Sequence, residues 1–265
     1  MIYIIKKILI IKLFYNIYIM TDIYIKYKTE LDGVNKYINN KYIYDIFYNY
    51  GFTLNNKFIA LDSNINIYEA CFIAQLINIY IKKYKTNKSL NILEIGLAYG
   101  TSALIIINEM IKYKYKTRYT VIDMNQTKQW NRTGIDNIYQ FLKHMNKKIK
   151  KIKLIEKDSV IALPNLKDKY DISFIDGSHD EIIVTQDIIN SNNLLIKGGL
   201  IIIDDVLHKG VKDAILKYFI KNKNYVRISI DNDKFKIENQ LYSHTIIKKS
   251  FNNPNTMYCF KKIND

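Results

Sequence analysis

The sequence predicts an α/β protein built on a doubly wound sheet of seven strands, mostly parallel, with an antiparallel strand inserted last and helices ahead of it. Three observations carry that prediction. From residue 90 onward, short and nearly continuous apolar runs alternate with longer amphipathic segments, as parallel strands covered on both faces by crossover helices do. A small-residue loop, Gly96-Leu-Ala-Tyr-Gly100, follows the first of those runs directly. The last two apolar runs are separated by a polar stretch without helical period, which suits a final strand that enters the sheet antiparallel.

The elements follow in order. Residues 30–85 read as helical, and in "IYEACFIAQLINIYIKKY" apolar side chains recur at three- and four-residue spacing. Strands are expected at 91–95, 118–122, 151–156, 170–175, 199–204, 225–230 and 257–262. Helices are expected at 101–113, 131–145, 159–163, 179–194 and 210–222. Right-handed crossovers then gather the ligand site at the carboxyl ends of the strands, near the point where strand order reverses. The domain organisation expected is an apolar N-terminal extension (1–20), a helical lid region (21–88) and the sheet domain (89–265).

Composition narrows the partners. The formal charge is +15, from 40 Lys and Arg against 25 Asp and Glu. Such a balance favours acidic partners, nucleic acid among them. A Lys-rich solvated surface gives the same total and is the reading preferred here, because Ile, Asn, Lys and Tyr are all abundant. The densest basic run, Lys143 to Lys157, falls between a helix end and a strand. Two cysteines, Cys71 and Cys259, are too few for a disulfide framework or a cysteine-based zinc site. They fit reduced core positions and a cytoplasmic setting. The first twenty residues are apolar enough to raise an anchor, but Lys6, Lys7 and Lys12 interrupt them, at a cost of roughly 2.5–3.5 kcal/mol for a charge near mid-span. A membrane span is therefore not favoured.

The loop excludes one ligand and suggests another. A dinucleotide fingerprint needs Gly-x-Gly-x-x-Gly, whose glycines let the backbone approach a pyrophosphate. Here Ala98 and Thr101 stand at its second and third glycine positions, so a nicotinamide dehydrogenase is excluded. Glu94 just before the loop suits a ligand that carries a cationic amino group.

Glu94, Gly96, Ala98 and Gly100 resemble the Glu-x-Gly-x-Gly-x-Gly motif of class I S-adenosylmethionine-dependent methyltransferases, with Ala at the middle glycine. Asp123 follows the second strand, Asp158 the third and "IDGSH" the fourth, and Gly198-Gly199 precede the fifth. The resemblance covers roughly residues 60–262 and implies a Rossmann-like fold with S-adenosyl-L-methionine as cofactor. By that resemblance Glu94, Gly96, Ala98, Gly100, Ser102, Asp123, Met124, Asp158, Ser159 and Asp176 would line the cofactor site. Asp123 would take the ribose hydroxyls and Asp158 the adenine amine. Plainer roles stay open: Asp123, Asp158 and Asp176 as helix caps, and Trp130 as a packing anchor or a pocket wall.

The stretch from Phe174 to Asp205 resembles the metal-dependent O-methyltransferase branch, of catechol, caffeoyl-CoA and macrocin type. That resemblance implies a divalent cation, Mg²⁺ or similar, on Asp176, Asp204 and Asp205. It also puts His179 at the general-base position, with Asp176 beside it in the catalytic set. Such a cation lowers the pKa of a bound hydroxyl and orients its oxygen. The substrate implied is a hydroxyl of a small molecule such as a sugar or phenol. An RNA 2′-O-methyltransferase and a non-catalytic cofactor-binding protein are the alternatives, and a homodimer stays open. Methylation of planar amines is disfavoured, since Asn/Asp-Pro-Pro-Tyr/Phe is absent after the fourth strand.

Overall fold

The computed structural model describes residues 36–49, 51–60, 65–84, 89–147, 151–239, 254 and 256–265. The expected apolar extension and most of the polar stretch before the last expected strand lie outside the described residues. Among the described residues no helix is long and apolar enough to cross a membrane.

The chain runs α1 (Lys41–Tyr48), β1 (Gly51–Leu54), β2 (Lys57–Ala60), α2 (Ile67–Tyr84), β3 (Ser89–Ile95), α3 (Thr101–Lys112), β4 (Lys116–Ile122), α4 (Thr133–His144) and β5 (Lys151–Ile155). It continues with α5 (Ser159–Ala162), β6 (Tyr170–Ile175), α6 (Glu181–Leu194), β7 (Leu195–Ile203), α7 (Lys209–Phe219), β8 (Tyr225–Asp231), β9 (Lys234–Ile237) and β10 (Tyr258–Lys262). The large sheet has the order β5-β4-β3-β6-β7-β10-β8-β9. Strands β5, β4, β3, β6 and β7 pair in parallel. β10 is antiparallel to both β7 and β8, as expected of the last-inserted strand.

Two hairpins depart from the expected elements. The sheet has eight strands rather than seven, because β9 turns back on β8. The span read as wholly helical holds the β1–β2 hairpin. Both turns have the same cause. Asn55 and Asn56 (φ 49 and 61°) link β1 to β2, and Asn232 and Asp233 (φ 48 and 56°) link β8 to β9. Two consecutive left-handed residues form the tight turn whose twist matches antiparallel strands, and Asn and Asp reach that conformation most cheaply among residues with a side chain.

Period-two alternation splits the sheet's side chains between two cores. Leu90 and Ile92 of β3 face one, with Leu200 and Ile202 of β7. Leu93, Ile95, Ile201 and Ile203 face the other. The first core also takes Ile38, Ile43 and Phe47 and the buried length of α2, from Ala70 to Ile81. Residues 36–84 thus share the sheet's own hydrophobic core. Asn40 fixes α1 at both ends of its side chain. Its Oδ1 accepts from Tyr42 N and Ile43 N as a helix cap, and its Nδ2 donates to Asn108 Oδ1 on α3 at 2.7 Å.

Candidate active site

Strand order reverses between β3 and β6, so the loops that leave them part there and open a crevice. The ladder carries on one residue past several strand ends and holds those residues at one height. Gly96 N donates to Ile122 O (2.8 Å), Asp176 N to Ile95 O (2.9 Å) and Asp204 N to Ile175 O (3.0 Å). A cleft of about 300 Å³ lies above this edge, lined by the segments after β3, β4, β5 and β6 and by the start of α6.

Of the predicted cofactor residues, Gly96, Ala98, Asp123, Met124, Asp158, Ser159 and Asp176 line this cleft, and so does Trp130. Glu94, Gly100 and Ser102 do not. Glu94 is fully buried, beneath the loop rather than in the cleft. Ser102 Oγ donates to one of its oxygens at 2.5 Å and Tyr119 OH to the other at 2.9 Å. Burial pushes its carboxyl up to about 8 against the pull of both donors. The expected direct contact with a cationic amine is replaced by a role under the loop, where Glu94 ties β3, β4 and α3 together. Gly100, in left-handed conformation, is the N-cap of α3.

Gly96 must be glycine. Its φ is +83°, and a Cβ there would stand 2.0 Å from the Asp176 carbonyl oxygen. The β3 loop therefore rests on the β6 loop, backbone to backbone. Ala98, at the middle-glycine position, also has positive φ, 45°. The left-handed cost of roughly 1–2 kcal/mol is borne here by a clamp. Asp123 Oδ2 accepts from Leu97 N (3.0 Å), Ala98 N (3.1 Å) and Gln126 Nε2 (2.9 Å). Gln126 Nε2 also donates to Ala98 O at 2.8 Å, and Asp123 Oδ1 accepts from Asn125 N at 2.8 Å. Asp123 thus spends its carboxylate on the loop as well as facing the cleft. Gln126, fully buried, does part of this work and has no signal in the sequence.

At the other end of the cleft Asp158 Oδ1 caps α5 by accepting from Val160 N at 2.8 Å, so the cap reading holds for this residue. For Asp176 it does not: the cap of α6 is Asp180, which accepts from Ile182 N and Ile183 N. Asp187 of α6 also lines this end. It is fully buried, and neither of its oxygens has a hydrogen-bond partner. Burial pushes its carboxyl up to about 7, with Asp158 adding to the rise and the nearby Ser159 hydroxyl opposing it.

The acids at the rim repel one another. Burial first, then the charges of Asp205, Glu94 and Glu69, hold the Asp176 carboxyl well above the usual carboxylate range. Asp204 is raised the same way, by burial and then by Asp176, Glu69 and Asp205. Glu69 comes from α2, is buried, and accepts from the Thr256 hydroxyl. Mutually repelling hard oxygens are the donor chemistry that a divalent cation takes, so Asp176, Asp204 and Asp205 fit the implied ion in kind. Their oxygens do not converge in one shell, however. Asp205 (φ 55°) faces His179 instead, with Oδ2 at 2.7 Å from His179 Nε2. His208, which the sequence reading passes over, stacks on the His179 ring at 4.0 Å.

Comparison with known proteins finds the same fold. Residues 93–206 match the family described as "Methyltransferase domain". No curated protein matches the chain. Among solved structures, the O-methyltransferase NovP is similar at 14% identity over 76% of this chain and 81% of its own, with a TM-score of 0.55. The O-methyltransferase TomG from Streptomyces achromogenes, involved in tomaymycin synthesis and solved in complex with SAM, is similar at 12% identity over 77% and 84%, with a TM-score of 0.51. A putative O-methyltransferase from Klebsiella pneumoniae is similar at 13% identity over 77% and 83%, also at 0.51. Residues 93–206 are thus similar to a methyltransferase domain, and the fold is the one these solved structures share.

Proposed function

We propose that this protein transfers the methyl group of S-adenosyl-L-methionine to a hydroxyl oxygen of a small molecule. The observation that carries the reading is the position of Asp176, which lines the cleft and ends the strand beside the one that Asp204 and Asp205 follow. The loop that Asp123 clamps and the His179–Asp205 pair both stand at the carboxyl edge of the sheet, with Asp176 between them. Asp123, Met124 and Asp158 would hold the cofactor's nucleoside, with Asp176 on the side of the acceptor.

Hydroxyl chemistry is favoured because a proton must leave the acceptor as its oxygen attacks the methyl carbon. An imidazole whose unperturbed pKa lies near 6.5 is suited to taking it. Asp205 accepts the Nε2 proton of His179, which fixes the tautomer and leaves Nδ1 as the free base. That three of the similar structures are described as O-methyltransferases supports the same choice. A divalent cation on Asp176, Asp204 and Asp205 would polarise the acceptor oxygen, and holding it would require those side chains to turn into one shell.

Calorimetric titration with S-adenosylhomocysteine tests the cofactor half, and saturable one-to-one binding is expected. A panel of sugar and phenol acceptors, assayed for S-adenosylhomocysteine release with Mg²⁺ and with EDTA, tests the rest. Absence of binding to folded protein defeats the proposal. Activity that survives EDTA removes the cation while leaving methyl transfer in place.

A further inference from the structure

Asp205 stands between two sets of donors. On one side are the oxygens of Asp176 and Asp204; on the other are two imidazoles. Among the described residues, the one trio of His, Cys, Asp or Glu side chains whose ligand atoms all lie within 4.8 Å of one another is His179, Asp205 and His208. His179 Nε2 is 2.7 Å from Asp205 Oδ2, and His208 Nε2 is 4.0 Å from Asp205 Oδ1. The two rings are nearly parallel, at 15°, so both present the same edge to the same carboxylate.

Backbone contacts deliver all three. His208 is the N-cap residue of α7, and its N–H donates to the Asp205 carbonyl at 2.9 Å. A Cβ on Gly210 would stand 2.1 Å from the His179 carbonyl oxygen, so the first turn of α7 lies directly against the His179 backbone. Asp205 is held in left-handed conformation, which costs energy in a residue with a side chain and persists only where the surroundings fix it.

We propose that His179, Asp205 and His208 form a binding site for a borderline divalent transition-metal ion, with Zn²⁺ as the reference case. Two neutral imidazoles and one carboxylate suit Zn²⁺, Co²⁺ or Ni²⁺ and do not suit Mg²⁺, which takes oxygen and keeps its waters. Three protein ligands leave a further position open to water or a ligand oxygen. Asp205 belongs to both donor sets, so a hard ion and a borderline ion compete for it. The consequence for catalysis, though not the site, rests on the proposed function: an occupied site withdraws His179 from proton transfer, and such ions then inhibit.

The test uses the purified full chain, titrated with Zn²⁺ by calorimetry and with Co²⁺ by visible absorption. Wild type is compared with His208→Ala, His208→Gln and Asp204→Asn, each checked for folding by circular dichroism. Wild type is expected to bind one Zn²⁺ and to give the d–d absorption of a nitrogen-ligated Co²⁺. Losing a ligand should weaken binding by at least about tenfold, the lower bound seen even for outer-shell partners. Both His208 variants should show that loss, and Asp204→Asn should bind as wild type does. Equal affinity in wild type and both His208 variants would place the ion elsewhere, for example on His144 or His244, and overturn the proposal, as would no binding at all. Titration of the same samples with S-adenosylhomocysteine reports on the cofactor reading alone. Either result can fail while the other stands.

Discussion

Two stretches of the sheet's carboxyl edge are built on opposite principles. At the glycine-loop end, Asp123 accepts from three backbone amides and from Gln126, and Glu94 beneath it has a donor on each oxygen. At the rim end, burial and then neighbouring acids raise Asp176 and Asp204, while His179 and Asp205 are roughly half exposed, at 53% and 41%. The first end is satisfied before any ligand arrives. The second holds charge that only a proton, a cation or a substrate relieves. In the proposed function the preorganised amides serve binding, whereas the rim acids and the His179–Asp205 pair serve chemistry. The same protein keeps the two apart on different strands.

Four substitutions probe that contrast, taken from the largest expected effect to the smallest. Gly96→Ala forces a carbon to 2.0 Å from the Asp176 carbonyl oxygen at positive φ. It should cost about 3 kcal/mol or more and abolish S-adenosylhomocysteine binding, as thermal melts and calorimetry would show. Asp123→Ala leaves two loop amides and Gln126 without their acceptor and should cost about 2–3 kcal/mol. Its cofactor affinity should fall far more than that of Asp204→Asn, since the satisfied end is the binding end.

The third has the opposite sign. Burial pushes the Asp187 carboxyl up to about 7 in the folded chain, above its value in the unfolded chain. The folded state therefore holds its proton more tightly. Its contribution to stability is fully present below about pH 4 and is lost as pH rises through 7. Asp187→Asn removes that loss and should be about 1–3 kcal/mol more stable than wild type at pH 8, with little difference at pH 4. Denaturant melts at both pH values check this, and equal stability at pH 8 would count against the burial argument. Last, Ala98→Gly relieves a left-handed alanine and should stabilise by no more than about 1 kcal/mol, with cofactor binding kept.

Much of the fold was legible because apolar strands and a glycine-spaced loop are local patterns. The position of β10 followed from the polar gap before it. The two hairpins were missed although their signal was present: Asn55-Asn56 and Asn232-Asp233 are residues that tolerate positive φ, and the mixed composition around them hid the alternation. The site divides along the same line. Gly96, Ala98, Asp123, Asp158 and Asp176 stand next to strand ends and could be placed by counting. The burial of Glu94 against Tyr119, the clamp on Gln126 and the stacking of His208 on His179 depend on side chains from different elements meeting in space. No spacing rule encodes those contacts.

The strand order has a consequence for how the molecule is assembled. β10, made after every other strand described here, does not lie at an edge but fills the gap between β7 and β8. Until it arrives, both neighbours expose unpaired amides and carbonyls in the middle of the protein, a template for pairing with other chains. During synthesis the half-made sheet therefore stays open until β10 emerges, and that interval carries an aggregation hazard.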